Sequence, residues 1–301
     1  MKRAVSISLG SSKRNKSVTV NLLGEQILIE RIGTDGDMEL AAQKYKELDG
    51  VVDAFGVGGA DLGILVDDKW YTLHSVSSMV RFVEKTPIVD GTGLKITLEG
   101  QAAAYLDQQI PDYIQQHGRT AFIMTGVDRW GLTRSFTEAG YECVFGDLMF
   151  SLGIPIPVKT TGQLKTLAAL LMPVAGRLPF DWIYPTGEKQ EERKPKHEDL
   201  FHWATVTAGD CHYIKRYMSN DMKGKVIVTN TTTPTDVELF REVGVKYLVT
   251  ATPVLEGRSF GTNMMEAALI AISGKGRVLT HDELRELLDQ LEFEPQIQEL
   301  N

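Results

Sequence analysis

The sequence has only two cysteines among 301 residues, and this scarcity excludes a small fold held together by disulfide bonds. Neither Cys143 nor Cys211 has a second cysteine close by in the chain, so there is no CxxC zinc or redox motif. The six histidines show neither an HExxH motif nor paired-ligand spacing. We therefore predict no metal site, and we expect both thiols to be buried and inert.

Basic residues are also fewer than acidic ones. The chain has 32 lysines and arginines against 40 aspartates and glutamates, which gives a net charge of −8. Nucleic acids and anionic membrane surfaces are bound by clustered lysines and arginines, so we expect neither as a partner.

Long hydrophobic runs are missing as well. The apolar run near the start, Ala4–Leu9, is too short for a signal-peptide core. The most apolar later stretch, 164–178, is interrupted by Lys165, Pro173 and Arg177 and falls short of a membrane span. We expect a soluble cytoplasmic protein.

The N-terminal part mixes predicted strands with predicted helices. Asp37 is a plausible N-cap for a helix over Met38–Leu48. A second helix is predicted over Val76–Lys85, and a longer one over Thr97–Gln116, which Pro111 should interrupt. The predicted strands are Ala4–Leu9, Val18–Leu23 and Glu25–Ile32 as a hairpin, Val51–Phe55, Leu62–Val66 and Trp70–Leu73 as a pair, and Pro87–Val89.

A regular alternation of strands and helices begins at Arg119. It predicts βαβ units and therefore a parallel sheet. We predict an α/β fold in which a Rossmann-like doubly wound domain (119–280) follows a smaller mixed α/β domain (1–118), with a C-terminal helix and frayed tail over 281–301. The predicted strands of the second domain are 121–124, 142–145, 181–184, 203–206, 225–228 and 246–249.

Small and polar residues follow most of these strands. In parallel sheets, ligands bind outside the carboxyl ends of the strands, so we predict a binding crevice there, although such residues also make ordinary turns and caps. The loop after the first strand has two glycines before a helix, a pattern that suits an anion. The predicted cofactor-binding residues are Gly126, Asp128, Arg129, Gly131, Asp147, Thr207, Thr229 and Asn230.

Asp147 comes about 20 residues after the first of these glycines, where NAD enzymes place the acid that binds the ribose. The glycine spacing matches neither GxGxxG nor a complete phosphate loop, because Leu132 stands where that loop has lysine. We therefore predict NAD or NADP rather than ATP hydrolysis. Arg129 either pairs with Asp128 or contacts a phosphate, and the sequence leaves both open.

Two Gly/Asp-rich loops follow predicted strands of the first domain. One ends in Asp61, and the other begins with Asp90 and leads to Lys95. Asp90 and Lys95 could form a carboxylate–lysine couple that moves a proton at a substrate hydroxyl. An ordinary salt bridge or N-cap is the alternative. The polar turn Arg258–Asn263 could contribute to binding an anionic substrate.

Several of these motifs resemble a bacterial family usually labelled quinate 5-dehydrogenase. The similar segments are AVSISLGSSKR, ERIGTDGD, LDGVVDAFGVGGADL, PIVDGTGLK and TGVDRWGL, and the similarity runs over nearly the whole chain. The resemblance implies an NAD(P)-dependent oxidoreductase that acts on a cyclic hydroxy acid in an interdomain cleft. Lys95 and Asp90 are the proposed catalytic residues by role.

Two other functions stay open at this point. One is a transferase that binds a nucleotide or sugar phosphate, and the other is a non-catalytic regulatory protein that binds a nucleotide. In each case the expected partner is a small molecule, and a homodimer is left open.

Overall fold

A computed structural model describes residues 1–179, 193–252, 254–255, 258–259 and 261–301. The described residues form two compact units. Unit 1 contains Met1–Thr97 and the described residues of Met172–Tyr184 and Leu255–Phe293. Unit 2 contains Leu98–Leu171, the described residues of Pro185–Val254, and Glu294–Asn301. In the described part of the chain, no helix is both long and apolar enough to span a membrane.

Unit 1 is built on a mixed five-stranded sheet. Its strands are β1 (Lys2–Ser8), β2 (Lys16–Leu22), β3 (Glu25–Gly33), β4 (Ala54–Gly58) and β7 (Ile88–Val89), in the order β2-β3-β1-β4-β7. Strand β1 is central and runs parallel to both β3 and β4, whereas β2 pairs antiparallel with β3. Two short strands, β5 (Gly63–Val66) and β6 (Lys69–Thr72), form a separate antiparallel pair. The predicted hairpin and strand pair are thus confirmed.

Helix α1 (Met38–Leu48) covers the predicted residues, and the Asp37 carboxylate accepts the Leu40 N–H as its N-cap. The prediction over Val76–Lys85 was wrong. Only α2 (His74–Ser77) and a 3-10 turn (Ser78–Val80) form there. The chain then bends because the Asp49 carboxylate accepts the N–H groups of residues 84–86.

The predicted long helix over Thr97–Gln116 is divided into α3 (Thr92–Glu99), α4 (Ala102–Gln109) and α5 (Pro111–His117). Pro111 begins α5, as a residue without an N–H group can at the first turn of a helix. The additional break falls at Gly100 and Gln101, where glycine, a weak helix former, allows the chain to turn.

Unit 2 contains a six-stranded sheet. Its strands are β8 (Thr120–Ile123), β9 (Glu142–Phe145), β10 (Val206–Ala208), β11 (Val226–Thr229), β12 (Tyr247–Thr250) and β15 (Gln296–Glu299). The order is β15-β12-β11-β10-β8-β9, and every pair is parallel except β12 with β15. The predicted α/β fold with a mostly parallel second sheet is confirmed. Two-residue strands β13 (Val254–Leu255) and β14 (Arg258–Ser259) pair separately.

Helices lie between these strands, as the predicted alternation requires, but the short helices Asp147–Ser151 and Glu198–Trp203 were not predicted. The helices are α6 (Trp130–Glu138), α7 (Asp147–Ser151), α8 (Thr161–Ala175), α9 (Glu198–Trp203), α10 (Cys211–Tyr217) and α11 (Pro234–Glu242). Near the C-terminus follow α12 (Thr262–Ser273) and α13 (His281–Gln290), and Thr280 forms the predicted capping box with Glu283. In unit 2, Phe122, Phe201, Ile227, Phe240 and Leu248 share one fully buried apolar core.

Two predictions in the second half need correction, and a third is not tested. The run 203–206 is the end of α9 and the start of β10, so Thr207 lies within the strand rather than after it. The tail is not frayed, because β15 pairs with β12 along its whole length. The run 181–184 lies outside the described residues.

The two units also divide the chain differently from the predicted segments 1–118, 119–280 and 281–301. Helix α12 packs against β1, β3 and β4 of unit 1, and β15 pairs within unit 2. Each unit is therefore assembled from separate stretches of the chain. The predicted substrate and nucleotide roles of the domains stay predictions.

Candidate functional site

The order of strands marks one position in the unit 1 sheet where a ligand crevice is expected. Strand β1 leads to β2 and β3 on one side, whereas the chain after β4 leads to β7 on the other side. Loops that leave two neighbouring parallel strands in opposite directions open a crevice at their carboxyl ends. Ser8 is in register with Gly58 at these ends, so the loops after Ser8 and after Gly58 flank the crevice.

Lys95 and Asp61 form an ion pair at this edge of the sheet. Asp61 follows β4, and Lys95 lies in the first turns of α3. The Lys95 ammonium donates to Asp61 Oδ1 at 2.7 Å, and the side chains are 16% and 19% exposed. The predicted partner of Lys95 was Asp90, so this assignment is corrected. The pair is sheltered enough for a strong interaction but still accessible to a small molecule.

Asp90 lies behind this pair and organises the surrounding backbone. Its carboxylate accepts the N–H groups of Leu62, at 2.7 Å, and Thr92, at 2.9 Å, so it joins the loop after β4 to the start of α3. Burial and then the charge of Asp61 raise the pKa of Asp90, although its hydrogen bonds with Thr92 and the Lys95 charge act in the opposite direction. Asp90 therefore holds the first residue of α3 through the Thr92 N–H, and it influences Lys95 through its charge.

Glu266 is a second buried acid at the same helix start, and sequence reasoning missed it. It comes from α12 and accepts the Leu94 N–H at 3.2 Å and a hydrogen bond from the Gly93 N–H. Burial raises the pKa of Glu266 to about 8, and the nearby Asp90 charge contributes to the increase. A Cβ on Gly93 would lie 2.6 Å from Glu266 Oε1, so only glycine lets this carboxyl approach. At neutral pH the cluster thus contains a protonated acid close to an ion pair.

Ser6 and Ser8 are further polar groups on this face that sequence reasoning did not select. Both are buried, although the rest of β1 is mostly apolar. Asn263, in the first turn of α12, donates to Ser6 Oγ at 2.6 Å. Ser8 Oγ accepts from Arg31 at 2.9 Å and from the Gly10 N–H at 3.1 Å. Alternating serines in an apolar strand are the signal that would have revealed this face. The side chains of Arg258 and Ser259, in the predicted polar turn Arg258–Asn263, lie outside the described residues.

Unit 2 has its own crevice position, between β8 and β10. If its parallel strands are numbered in chain order, their spatial order is 2-1-3-4-5, which is the flavodoxin-like arrangement, and the connections diverge at β8 and β10. Arg129 follows β8 and Asp210 follows β10, so both lie at this point. Asp128, Gly126 and Gly131 belong to the same loop and helix start, and Asn230 follows β11.

Arg129 forms ion pairs with three carboxylates of the protein, although its buried Nε has no hydrogen-bond partner. Its terminal nitrogens donate to Glu99 at 2.6 Å and to Asp210 at 2.7 Å, and its Nε lies 3.4 Å from Asp128. Burial opposes the charged form, but Glu99, Asp210 and Asp128 outweigh it and raise the pKa of Arg129. Of the two roles left open by the sequence, the structure contains the ion pair with Asp128. Three carboxylates around one guanidinium leave the group with a net negative charge.

Asp147 binds the loop after β8 instead of facing a ligand. Its two carboxylate oxygens accept the N–H groups of Gly126 and Val127, both at 2.9 Å, and the side chain is buried. Burial raises the pKa of Asp147 to about 6, although these backbone donors act in the opposite direction. The N–H groups predicted to hold a phosphate thus already have an anionic partner.

The remaining predicted cofactor residues have internal partners or internal positions. Thr229 ends β11 and its hydroxyl donates to the Gly209 carbonyl, whereas Asn230 donates to Asp210 at 3.0 Å. Thr207 is completely buried and is in register with Phe122 and Ile227, which belong to the apolar core. Thr229, Asn230 and the terminal nitrogens of Arg129 thus have partners within the protein, whereas the buried Thr207 hydroxyl has no hydrogen-bond partner. Binding of NAD or NADP by these residues stays a prediction.

A surface cavity of about 650 Å³ lies at the amino ends of β1 and β3, the opposite edge from the ligand crevice. Across the described residues, no three His, Cys, Asp or Glu side chains are grouped so that they could hold a metal ion.

A family model described as Domain of unknown function (DUF8754) matches residues 93–300, more than half of the chain. The chain belongs to this family. A second model, Domain of unknown function (DUF8753), matches residues 3–90, which include Asp61 and Asp90. Neither description names a reaction, so quinate 5-dehydrogenase activity stays a proposal. Among curated proteins, none matches this family member.

Solved structures show distant similarities to this member of the DUF8754 family. The NAD-dependent malic enzyme from Thermotoga maritima is 12% identical, with a TM-score of 0.42 over 95% of this chain and 75% of that chain. The Entamoeba histolytica malic enzyme is 12% identical, with a TM-score of 0.41 over 95% and 61%. A glucose-galactose binding protein from Geobacillus stearothermophilus is 9% identical, with a TM-score of 0.38 over 99% and 97%. The resemblance to malic enzymes and to sugar-binding proteins is therefore weak.

Proposed function

We propose that this chain is an acid–base enzyme that transfers protons at the hydroxyl-bearing carbon of a small hydroxy acid. The observation that supports the proposal is the group formed by Lys95, Asp61, Asp90 and Glu266 at the unit 1 crevice. Titratable groups whose environments move their pKa values apart are typical of sites that contain both an acid and a base.

Lys95 and Asp61 are the residues proposed to touch the substrate, because their side chains are the accessible members of the group. Asp61, the carboxylate of the ion pair, accepts the proton from the hydroxyl-bearing carbon, and Asp61 or Lys95 then returns a proton to that carbon, so the step balances without a hydride acceptor. Asp90 and Glu266 are positioning residues. They bind the N–H groups at the start of α3 and so fix the helix turn from which Lys95 extends.

The experiment is a screen with purified protein and a set of hydroxy acids that includes quinate and shikimate. Proton NMR spectra in D2O report exchange or conversion of each compound, first without any cofactor and then with NAD+ or NADP+. We expect at least one hydroxy acid to be converted, and its conversion to fail in Asp61→Asn. Asp53→Asn removes a carboxylate from a more exposed lysine pair and is the matched control. Conversion that persists in Asp61→Asn, or no conversion in any arm, would contradict the proposal.

A second candidate function is oxidation of the same carbon by an NAD(P)-dependent oxidoreductase. It is favoured by the flavodoxin-like strand order of unit 2, because nucleotides bind at such crevice positions. The internal partners of Arg129 and Asp147 count against it. Conversion that requires NAD+ or NADP+ in the screen would favour this candidate, and conversion without either would exclude the need for a dinucleotide.

A further inference from the structure

A cluster of positive side chains lies on the other flank of the unit 1 crevice. Lys13 and Arg14 belong to the 3-10 turn (Ser12–Arg14) in the loop after β1, and Arg31 comes from the end of β3. Asp35 is the nearby acid, and its carboxylate accepts the Ser12 N–H at 2.8 Å. Three cations and one anion give this cluster a net charge of about +2, whereas the whole chain has a net charge of −8.

Arg31 is held in place by the crevice itself. Its guanidinium donates to Ser8 Oγ at 2.9 Å and to the Ser11 carbonyl at 3.0 Å. A guanidinium has five N–H donors, so these two bonds fix its orientation and leave donors for a ligand. A Cβ on Gly10 would lie 2.8 Å from the nearer Arg31 nitrogen, so glycine at this position leaves the guanidinium room.

The backbone places this guanidinium beside the loop that contains Asp61. Ser8 is in register with Gly33 of β3 on one side and with Gly58 of β4 on the other. The loop after Gly58 leads directly to Asp61, the partner of Lys95. The cationic cluster and the proton-transfer group therefore flank the same crevice, at the carboxyl ends of neighbouring strands.

We propose that Arg31, assisted by Arg14, binds the anionic group of the substrate, either a carboxylate or a phosphate. Oxygen anions of both kinds accept paired hydrogen bonds from a fixed guanidinium. Burial and then the charge of Arg14 lower the pKa of Arg31, although the charge of Asp35 acts in the opposite direction, so the two arginines repel each other. An anion between them would relieve this repulsion. The inference extends the proposed function, because it assigns the part of the substrate that Lys95 does not contact.

The test measures binding alone, so it does not depend on turnover. Isothermal titration calorimetry at low ionic strength would use sodium glycolate as the carboxylate, inorganic phosphate as the phosphate, and ethylene glycol as the neutral hydroxyl compound. We expect one of the anions to bind and ethylene glycol not to bind. Arg31→Gln should weaken anion binding on the order of tenfold or more. Arg81→Gln, which removes an arginine paired with Glu39 on the surface, should leave it unchanged.

Arg14→Gln provides a second variant, because Arg14 is exposed and its replacement does not threaten folding. We expect it to weaken anion binding less than Arg31→Gln does. Equal affinity in the wild type, Arg31→Gln and Arg14→Gln would overturn the inference, as would the absence of binding by both anions. If Lys95→Met abolishes turnover but retains anion binding, both proposals stand. Suppose instead that Arg31→Gln loses anion binding while Lys95→Met retains both anion binding and turnover. The anion site then stands, and the proposed function fails.

Discussion

The Lys95 ammonium lies 2.7 Å from Asp61 Oδ1, and the two residues come from different elements that meet at the carboxyl edge of the unit 1 sheet. Asp90 and Glu266 bind the backbone at the start of α3 and face the same pair. A sheltered ion pair with two buried acids behind it costs desolvation energy, and a structural role alone would be served as well by apolar residues. This arrangement is the basis of the proposed proton-transfer chemistry.

The first prediction concerns Glu266 and pH. Its pKa is about 8 in the folded protein and about 4.5 in the unfolded chain, so the native state binds more protons between these values. The free energy of unfolding therefore falls as pH rises through this window, by at most about 5 kcal/mol at 1.36 kcal/mol per pKa unit. Glu266→Gln removes this titration and should be more stable than the wild type at pH 8.5, but not at pH 5.

Urea unfolding curves at pH 5 and pH 8.5 measure this difference. Glu47→Gln is the control, because Glu47 lies on the surface of α1 and pairs with Lys44. We expect its stability to follow that of the wild type at both pH values. Parallel changes in Glu266→Gln and the wild type would show that Glu266 does not titrate in this range.

The second prediction concerns Asp147. Asp147→Ala leaves the N–H groups of Gly126 and Val127 without their acceptor, so unfolding free energy should fall by roughly 1–3 kcal/mol. Asp289→Ala, at an exposed position of α13, should change it by less than about 0.5 kcal/mol. Fluorescence titration of NADH and NADPH completes the test. A selective loss of NADH affinity in Asp147→Ala would make Asp147 a ribose ligand after all.

The third prediction concerns the buried charges around Arg129. Arg129→Met leaves Glu99 buried without its main cation and should lower the free energy of unfolding by about 3–5 kcal/mol. Arg134→Met removes an exposed arginine from the neighbouring turn of α6, where its pair with Glu138 contributes about 0.3–0.5 kcal/mol. Urea denaturation of the two variants makes the comparison. Equal stabilities would mean that the Arg129 network has little structural role.

Much of the fold could be predicted from the chain because local signals and tertiary structure agree. Asp37 caps α1, Pro111 begins α5, and β9 occupies the predicted residues. The predictions that failed depend on distant partners. The predicted helix does not reach Lys85, because Asp49 binds the backbone of residues 84–86, and the C-terminal strand forms because β12 offers it an edge.

The candidate site was found in part for the same reason. Asp90 and Lys95 were selected because Gly/Asp-rich loops after strands are local patterns. The pairing of Lys95 with Asp61 depends on where β4 and α3 lie in space, which residue spacing does not reveal. Glu266 had a visible signal, a lone acid within the apolar helix segment 264–271. In unit 2, the N–H groups of the loop after β8 do bind an anion, but that anion is the Asp147 carboxylate of the protein itself.

The most direct test of the proposed chemistry is the turnover number of Lys95→Met with the hydroxy acid identified by the NMR screen. Lys44→Met is the matched control, because Lys44 also pairs with a carboxylate at 2.7 Å but lies on the surface of α1. Loss of a general acid–base group should lower turnover on the order of 100-fold or more in Lys95→Met, with Lys44→Met unchanged. Wild-type turnover in Lys95→Met would contradict the assignment of Lys95 and, with it, the proposed function.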